Sequence, residues 1–353
     1  FSVDLIDPDF QLPRVLRSTI GYDRELLFGI YGTAEVVWSK NIEDVYYVNL
    51  NKQASGTSPL DGRPRYTNVS SAMRDAVMLT STDEGEQTIA TLQLNKRFSR
   101  NITFSASYAN QDAKSAFDGT SSRAISNWQF HHTTGDIFKP EVSRSSFETE
   151  HRINVSTSWN FKTGFLGHTL GVYYIAQSGR PYSLLFNTDV NGDGYATNDL
   201  LYLPAGADGV IIQKNAGSTW TAAPNQQWLN FLTYAGVDDP MAGRVLKRYE
   251  LSEPWSRQLD LHYELGLPAL RQVRTNVTLD VLNLLNMIDS EYGVVRNVGF
   301  QNFSPVTFQG MDAATGKPIY RENFANALQE GRQFSTADIR SRWQARLGLR
   351  VSF

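Results

Sequence analysis

The chain has 353 residues, with 33 Lys and Arg against 36 Asp and Glu, a formal charge of −3, no cysteine, and 12% aromatic residues. That balance excludes the basic surface a nucleic-acid binder needs, and the missing cysteine excludes disulfides, thiolate metal sites and a cysteine nucleophile. Mean hydropathy is −0.36 and no stretch approaches the ~20 apolar residues of a spanning helix, which leaves a large aromatic-rich β protein of an oxidising compartment or an outer membrane. The opening Phe1-Ser2-Val3-Asp4 has neither a charged nor an apolar leader, so a secretion signal is expected upstream of it.

The first candidate strand is Leu12–Tyr22, followed by a tight turn at Tyr22–Glu25. Leu26, Phe28, Ile30, Ala34, Val36 and Trp38 then alternate with Thr33, Glu35 and Ser39. Period-two alternation puts apolar side chains on one strand face and polar ones on the other. The stretch Val77–Leu94 alternates more weakly and contains the turn-like Asp83-Glu84-Gly85. Ile102, Phe104, Ala106 and Tyr108 alternate with Thr103, Ser105 and Ser107, and Ile153, Val155, Thr157 and Trp159 with Arg152, Asn154, Ser156 and Ser158. Leu170–Ala176, Leu259–Leu265 and Val273–Val281 repeat the pattern. Ser341–Phe353 shows it best, with Trp343, Ala345, Leu347, Leu349, Val351 and Phe353 on one face. Its thirteen residues exceed the usual strand of about 5–6 and cover the ~9–11 that a tilted strand needs to cross a bilayer. About nine long strands result, an all-β antiparallel design.

The connections alternate between short and long. Tight turns fall at Tyr22–Glu25, Lys96–Arg100, Phe161–Gly167 and Gly266–Gln272, and long polar links at about 49–75, 113–147, 181–256 and 285–340. Short turns at one end and long loops at the other mark a transmembrane β-barrel with periplasmic turns and extracellular loops. A soluble sandwich also alternates, but aromatic residues gather at the strand ends (Trp38, Phe98, Tyr108, Trp159, Phe161, Trp343, Phe353), as in interfacial girdles. Glu35, Arg152, Asp260, Asp280, Arg346 and Arg350 would then face the lumen.

Few residues suggest chemistry. Asp189, Asn191 and Asp193, with Gly194 in sixth place, reproduce the first half of an EF-hand-like calcium loop. Asp199 is one place early for the closing bidentate ligand, and a self-bonded Asx turn explains the same residues. His131-His132 with Asp136 and His151 lacks metal-ligand spacing and reads as a solvated pair in a loop. Trp220, Trp228, Phe231, Tyr234 and Trp255 offer flat apolar surface to a sugar or peptide, or a small loop core; Trp128 with Phe130 reads likewise. No nucleophile elbow, His-Glu-x-x-His or phosphate-binding glycine loop occurs, and no enzymatic activity is expected.

The segments Asp7-Pro8-Asp9-Phe10-Gln11-Leu12-Pro13, Ser18–Leu26, Gly32–Glu35, Asp61–Tyr66, Gly179–Ser183, Asp189–Gly194 with Asn198-Asp199, Asp280–Asn286 and Trp343–Phe353 together resemble the Oar-like group of TonB-dependent outer-membrane receptors. The resemblance runs nearly the whole length. It implies that 1–353 is the C-terminal part of a 22-stranded barrel, the plugged transporter size class, without its plug and earlier strands. It further implies a Gram-negative outer membrane, contact with TonB through the absent N-terminal part, and import of a small molecule, oligosaccharide or peptide. Open edges in lipid cost several kcal/mol per polar group, so the first and last strands are expected to pair with absent ones. The alternatives are a self-contained outer-membrane barrel enzyme or adhesin, and a secreted calcium-stabilised carbohydrate-binding β protein.

Overall fold

The computed structural model describes residues 1–98, 101–268 and 273–353. Nine long strands form one antiparallel meander: β1 (Arg14–Glu25), β2 (Ile30–Asn49), β3 (Gly85–Arg97), β4 (Ile102–Ser115), β5 (His151–Thr163), β6 (Leu166–Gln177), β7 (Ser256–Gly266), β8 (Arg274–Leu282) and β9 (Gln344–Ser352). Each pairs with the next in chain order. Among the described residues the outer edges of β1 and β9 bond to nothing.

Register turns the alternation of the sequence into two surfaces. Trp159 stands opposite Leu170, Leu170 opposite Tyr263, Tyr263 opposite Leu279 and Leu279 opposite Leu347, a continuous apolar row across five strands. On the other face His262 stands opposite Asp280 and Asp280 opposite Arg346, with Glu35, Arg152, Asp260 and Arg350 on that same polar face. His262 Nδ1 lies 2.6 Å from Asp280 Oδ1, and Arg350 pairs with Glu264 at 3.9 Å. The apolar row is uncovered: Leu347 is 80% and Trp159 44% exposed, and neither belongs to a buried core. No helix is long and apolar enough to cross a membrane.

One boundary differs from expectation, and one break falls where the turn-like Asp83-Glu84-Gly85 places it. β1 runs on to Glu25, and the chain reverses at 26–29, where Leu26 N–H bonds Ile30 O at 2.6 Å and Phe28 and Gly29 take φ of 61° and 64°. The expected turn at Tyr22–Glu25 is therefore strand. The Val77–Leu94 stretch is two strands, Asp75–Thr82 and β3, broken at Gly85 with φ 123°. The connection at 164–165 is short as expected; the turns expected at Lys96–Arg100 and Gly266–Gln272 lie partly outside the described residues.

Residues 50–84, 116–150, 178–255 and 283–343 all join strands at the opposite rim, and they are folded, not merely polar. A five-stranded sheet of Ile211–Gln213, Pro318–Glu322, Asn302–Met311, Pro181–Phe186 and Leu251–Ser252 packs on the helix Pro224–Ala235. That helix has Pro in its first turn and ends on left-handed Gly236, the residues those positions favour. Its buried side, Trp228, Phe231, Leu232 and Ala235, joins Tyr182, Phe186, Tyr320 and Leu328 in the main core.

Candidate functional site

Three of the long connections enclose a cavity of about 550 Å³. The first is shaped by Asn127, whose side chain bonds the N–H and the carbonyl of Ser121, and by Trp128, buried against Tyr66, Val77 and Tyr195. These anchors set Phe130, His131 and His132 in the cavity wall. The second connection contributes Leu185, Arg248 and Tyr249, and the third Phe300, Gln301 and Ser304.

Backbone strain gathers here. Tyr249, Phe300 and Gln301 have φ of 56°, 52° and 55°, values costly for bulky side chains and persistent only where the surroundings over-determine them. Tyr249 N–H donates to Ser183 Oγ at 2.9 Å, and Gln301 Nε2 donates to Ser146 O and Pro181 O. Phe300 is left 98% exposed at the lip.

Arg248 crosses the cavity floor. Its Nε donates to Ser143 Oγ, Nη1 to His131 Nδ1, and Nη2 to the carbonyls of Ser115 and Glu141. His132 Nδ1 lies 3.0 Å from Ser183 Oγ. Burial first, and Arg248 second, hold His131 well below the ordinary imidazole value and bring His132 down to about 3. The pair expected to be solvated is therefore drawn into the folded rim: His132 is 3% exposed and His131 is half-buried. Asp118 shares the wall and accepts from Ser115 Oγ, Ser145 Oγ and Ser146 N–H. It also borders, with Phe117, a second cavity of about 400 Å³ against Arg17, Ser39, Gln87 and Gln111 on the upper polar face of β1 to β4. The loop cavity thus adjoins the polar side of the sheet.

The residues expected to matter elsewhere have other surroundings. Asp189 accepts from the N–H groups of Gly192 and Gly194, Asn191 from Asp193 N–H, and Asp193 from Tyr195 N–H and Asn198 Nδ2. Asp199 accepts from Val190 N–H and pairs with Arg63 at 3.0 Å, and Arg63 in turn pairs with Asp61. The calcium-like residues are thus brought into one loop, with their oxygens turned to protein donors except for Asn198 Oδ1, which is buried and unpartnered. Among the described residues no three carboxylate or imidazole groups stand as a metal site. Burial pushes Asp193 up to about 6 and Asp199 up to about 7, the latter against the pull of Arg63.

Trp228 is 1% exposed in the core, which puts it beyond a ligand's reach. Trp220 packs on the same core and donates Nε1 to Glu322 at 2.9 Å. Trp255 stacks on His151 at 5.8 Å, and His151 on Tyr108 at 6.0 Å. None of these three tryptophans lines the cavity. Arg248, Tyr249 and Phe300 escaped the sequence reading because their partners lie far away in the chain; Arg248 and His131 are 117 positions apart.

The family described as "Outer membrane beta barrel domain" matches residues 1–310. No curated protein matches the chain.

Proposed function

We propose that this chain, which belongs to the outer membrane beta barrel domain family, supplies wall and ligand surface to an energy-coupled importer, a TonB-dependent receptor of the Oar-like group. The observation that carries the proposal is the sheet's two open edges. β1 and β9 are fully formed, yet each is paired on one side only among the described residues. In hydrocarbon every unpaired backbone group costs several kcal/mol, so the wall needs further strands. A barrel larger than nine strands, with a ligand cavity opening toward its polar interior, fits the plugged transporter class of about 22 strands.

In this reading the apolar row faces lipid, the folded loops are extracellular, and the short turns are periplasmic in a Gram-negative cell. Ligand enters the loop cavity and moves past Phe117 and Asp118 toward the lumen. The chain catalyses no reaction, and transport energy arrives through TonB. Crosslinking the full-length protein in intact cells tests this: a TonB adduct is expected. Its absence, in cells where another TonB-dependent receptor crosslinks, would refute the importer reading and leave only a barrel.

A further inference from the structure

We propose that the floor of the loop cavity is a carboxylate site, and that the ligand is a small monoanion carrying a flat apolar group. The inference rests on reading this cavity as the place where ligand binds.

Arg248 brings a positive charge to the cavity floor. It is 2% exposed, and among the described residues no carboxylate lies within ion-pairing distance of it. Its acceptors are a hydroxyl, an imidazole nitrogen and two carbonyls, all neutral. Those bonds use four of the five guanidinium donors, leaving one Nη1 hydrogen. A buried cation without a counter-ion is costly. Asp118 and Glu141 stand near enough to act on this charge, but neither is in ion-pair contact with it, and the Asp118 oxygens are turned to Ser115, Ser145 and Ser146.

Ser183 Oγ accepts from Tyr249 N–H and bonds His132 Nδ1 at 3.0 Å. His131 Nδ1 accepts from Arg248, which places the His131 proton on Nε2. Both imidazoles bond protein through Nδ1, and both line the cavity. The wall thus offers the His131 imidazole N–H and one guanidinium N–H beside the Arg248 charge. A carboxylate matches that set in charge and acceptor count, whereas a dianionic phosphate would need a second cation. Phe117, Phe130, Tyr249 and Phe300 supply flat apolar walls for the remainder of the ligand.

Titration calorimetry on the full-length protein in micelles tests the proposal with two probe pairs. These are N-acetyl-phenylalanine against its neutral amide, and galacturonate against galactose. At least one carboxylate should bind roughly tenfold or more tighter than its neutral partner. The first pair responding marks a peptide-like source, the second a sugar acid. Equal binding within both pairs, or no binding of either carboxylate, would overturn the proposal. Arg248→Gln should abolish the preference for charge. Phe300→Ala, at an exposed position that folding does not need, should weaken the aromatic probe several-fold while keeping that preference; unchanged affinity in both variants would also overturn it. Failure here leaves TonB crosslinking untouched, and loss of crosslinking leaves carboxylate binding in place, so the two readings fail separately.

Discussion

Replacing Glu322 with alanine should loosen the long-connection rim and leave the sheet standing. The buried carboxyl group of Glu322 accepts the backbone N–H groups of Asn215 and Leu328, the Ser218 hydroxyl and the Trp220 indole N–H. Those four donors come from both the 178–255 and the 283–343 connections. Alanine strands them together. Water reaches the partly buried Ser218 and Asn215, but Leu328 is fully buried and Trp220 is packed on the core. An unsatisfied buried donor costs about 1–3 kcal/mol, so these two alone give roughly 2–6 kcal/mol. Glu322→Gln keeps one acceptor oxygen and should fall between. Timed trypsin digestion of the full-length protein in micelles, with fragments read by mass, is the assay. Cleavage at Lys214 and Arg332 should accelerate about 30-fold or more if cutting follows the opened population. An unheated gel should still show a folded barrel. Glu322→Ala digested at the parent rate would mean that these connections share no cooperative core, and the cavity argument would fall with it.

Two further outcomes follow from the wall and from the acidic loop. Leu347→Arg or Leu349→Arg sets a charge at mid-depth on the lipid face and should cost ~2–4 kcal/mol, seen as lost heat-modifiable barrel. Arg350→Gln, on the polar face, removes only a long exposed pair and should cost no more than about 1 kcal/mol; equal losses on both faces would reverse the facing assignment. Asp193 and Asp199 are pushed up to about 6 and about 7 by burial. Their contribution is therefore fully present below the ordinary value of 3.8 and is lost as pH rises through about 6 to 7. Hydrogen exchange in 189–199 should be better protected near about pH 5 than near about pH 7.5, after correction for intrinsic rates. Calcium at the higher pH would restore that protection if the loop takes an ion, and a flat response to calcium and chelator would dismiss one.

The wall was legible in the sequence because two solvents enforce it. Leu347 and Arg346 are neighbours that answer to lipid and to a polar interior, and period two records the choice at every position. The turn at 26–29 was not legible. Leu26, Leu27 and Phe28 read as strand, and the positive φ of Phe28 is strain that no local preference forecasts. The rim was legible only as length and polarity. The helix at 224–235 had its marks, Pro224 before and Gly236 after, but its burial depends on Tyr320 and Leu328 about a hundred positions on. The histidines failed for the same reason: their neighbours suggested a solvated loop, and Arg248 enclosed them from afar.

The chain has no native cysteine, so single cysteines at 344–352 can carry nitroxide labels one at a time. Collision rates with dissolved oxygen, which favours lipid, and with a water-soluble nickel chelate should oscillate in opposite phase along β9. Oxygen should peak at Ala345, Leu347, Leu349 and Val351, and nickel at Arg346, Gly348 and Arg350. Labels at Leu347 and Leu349 shielded from both reagents would place protein against that face and contradict the membrane wall.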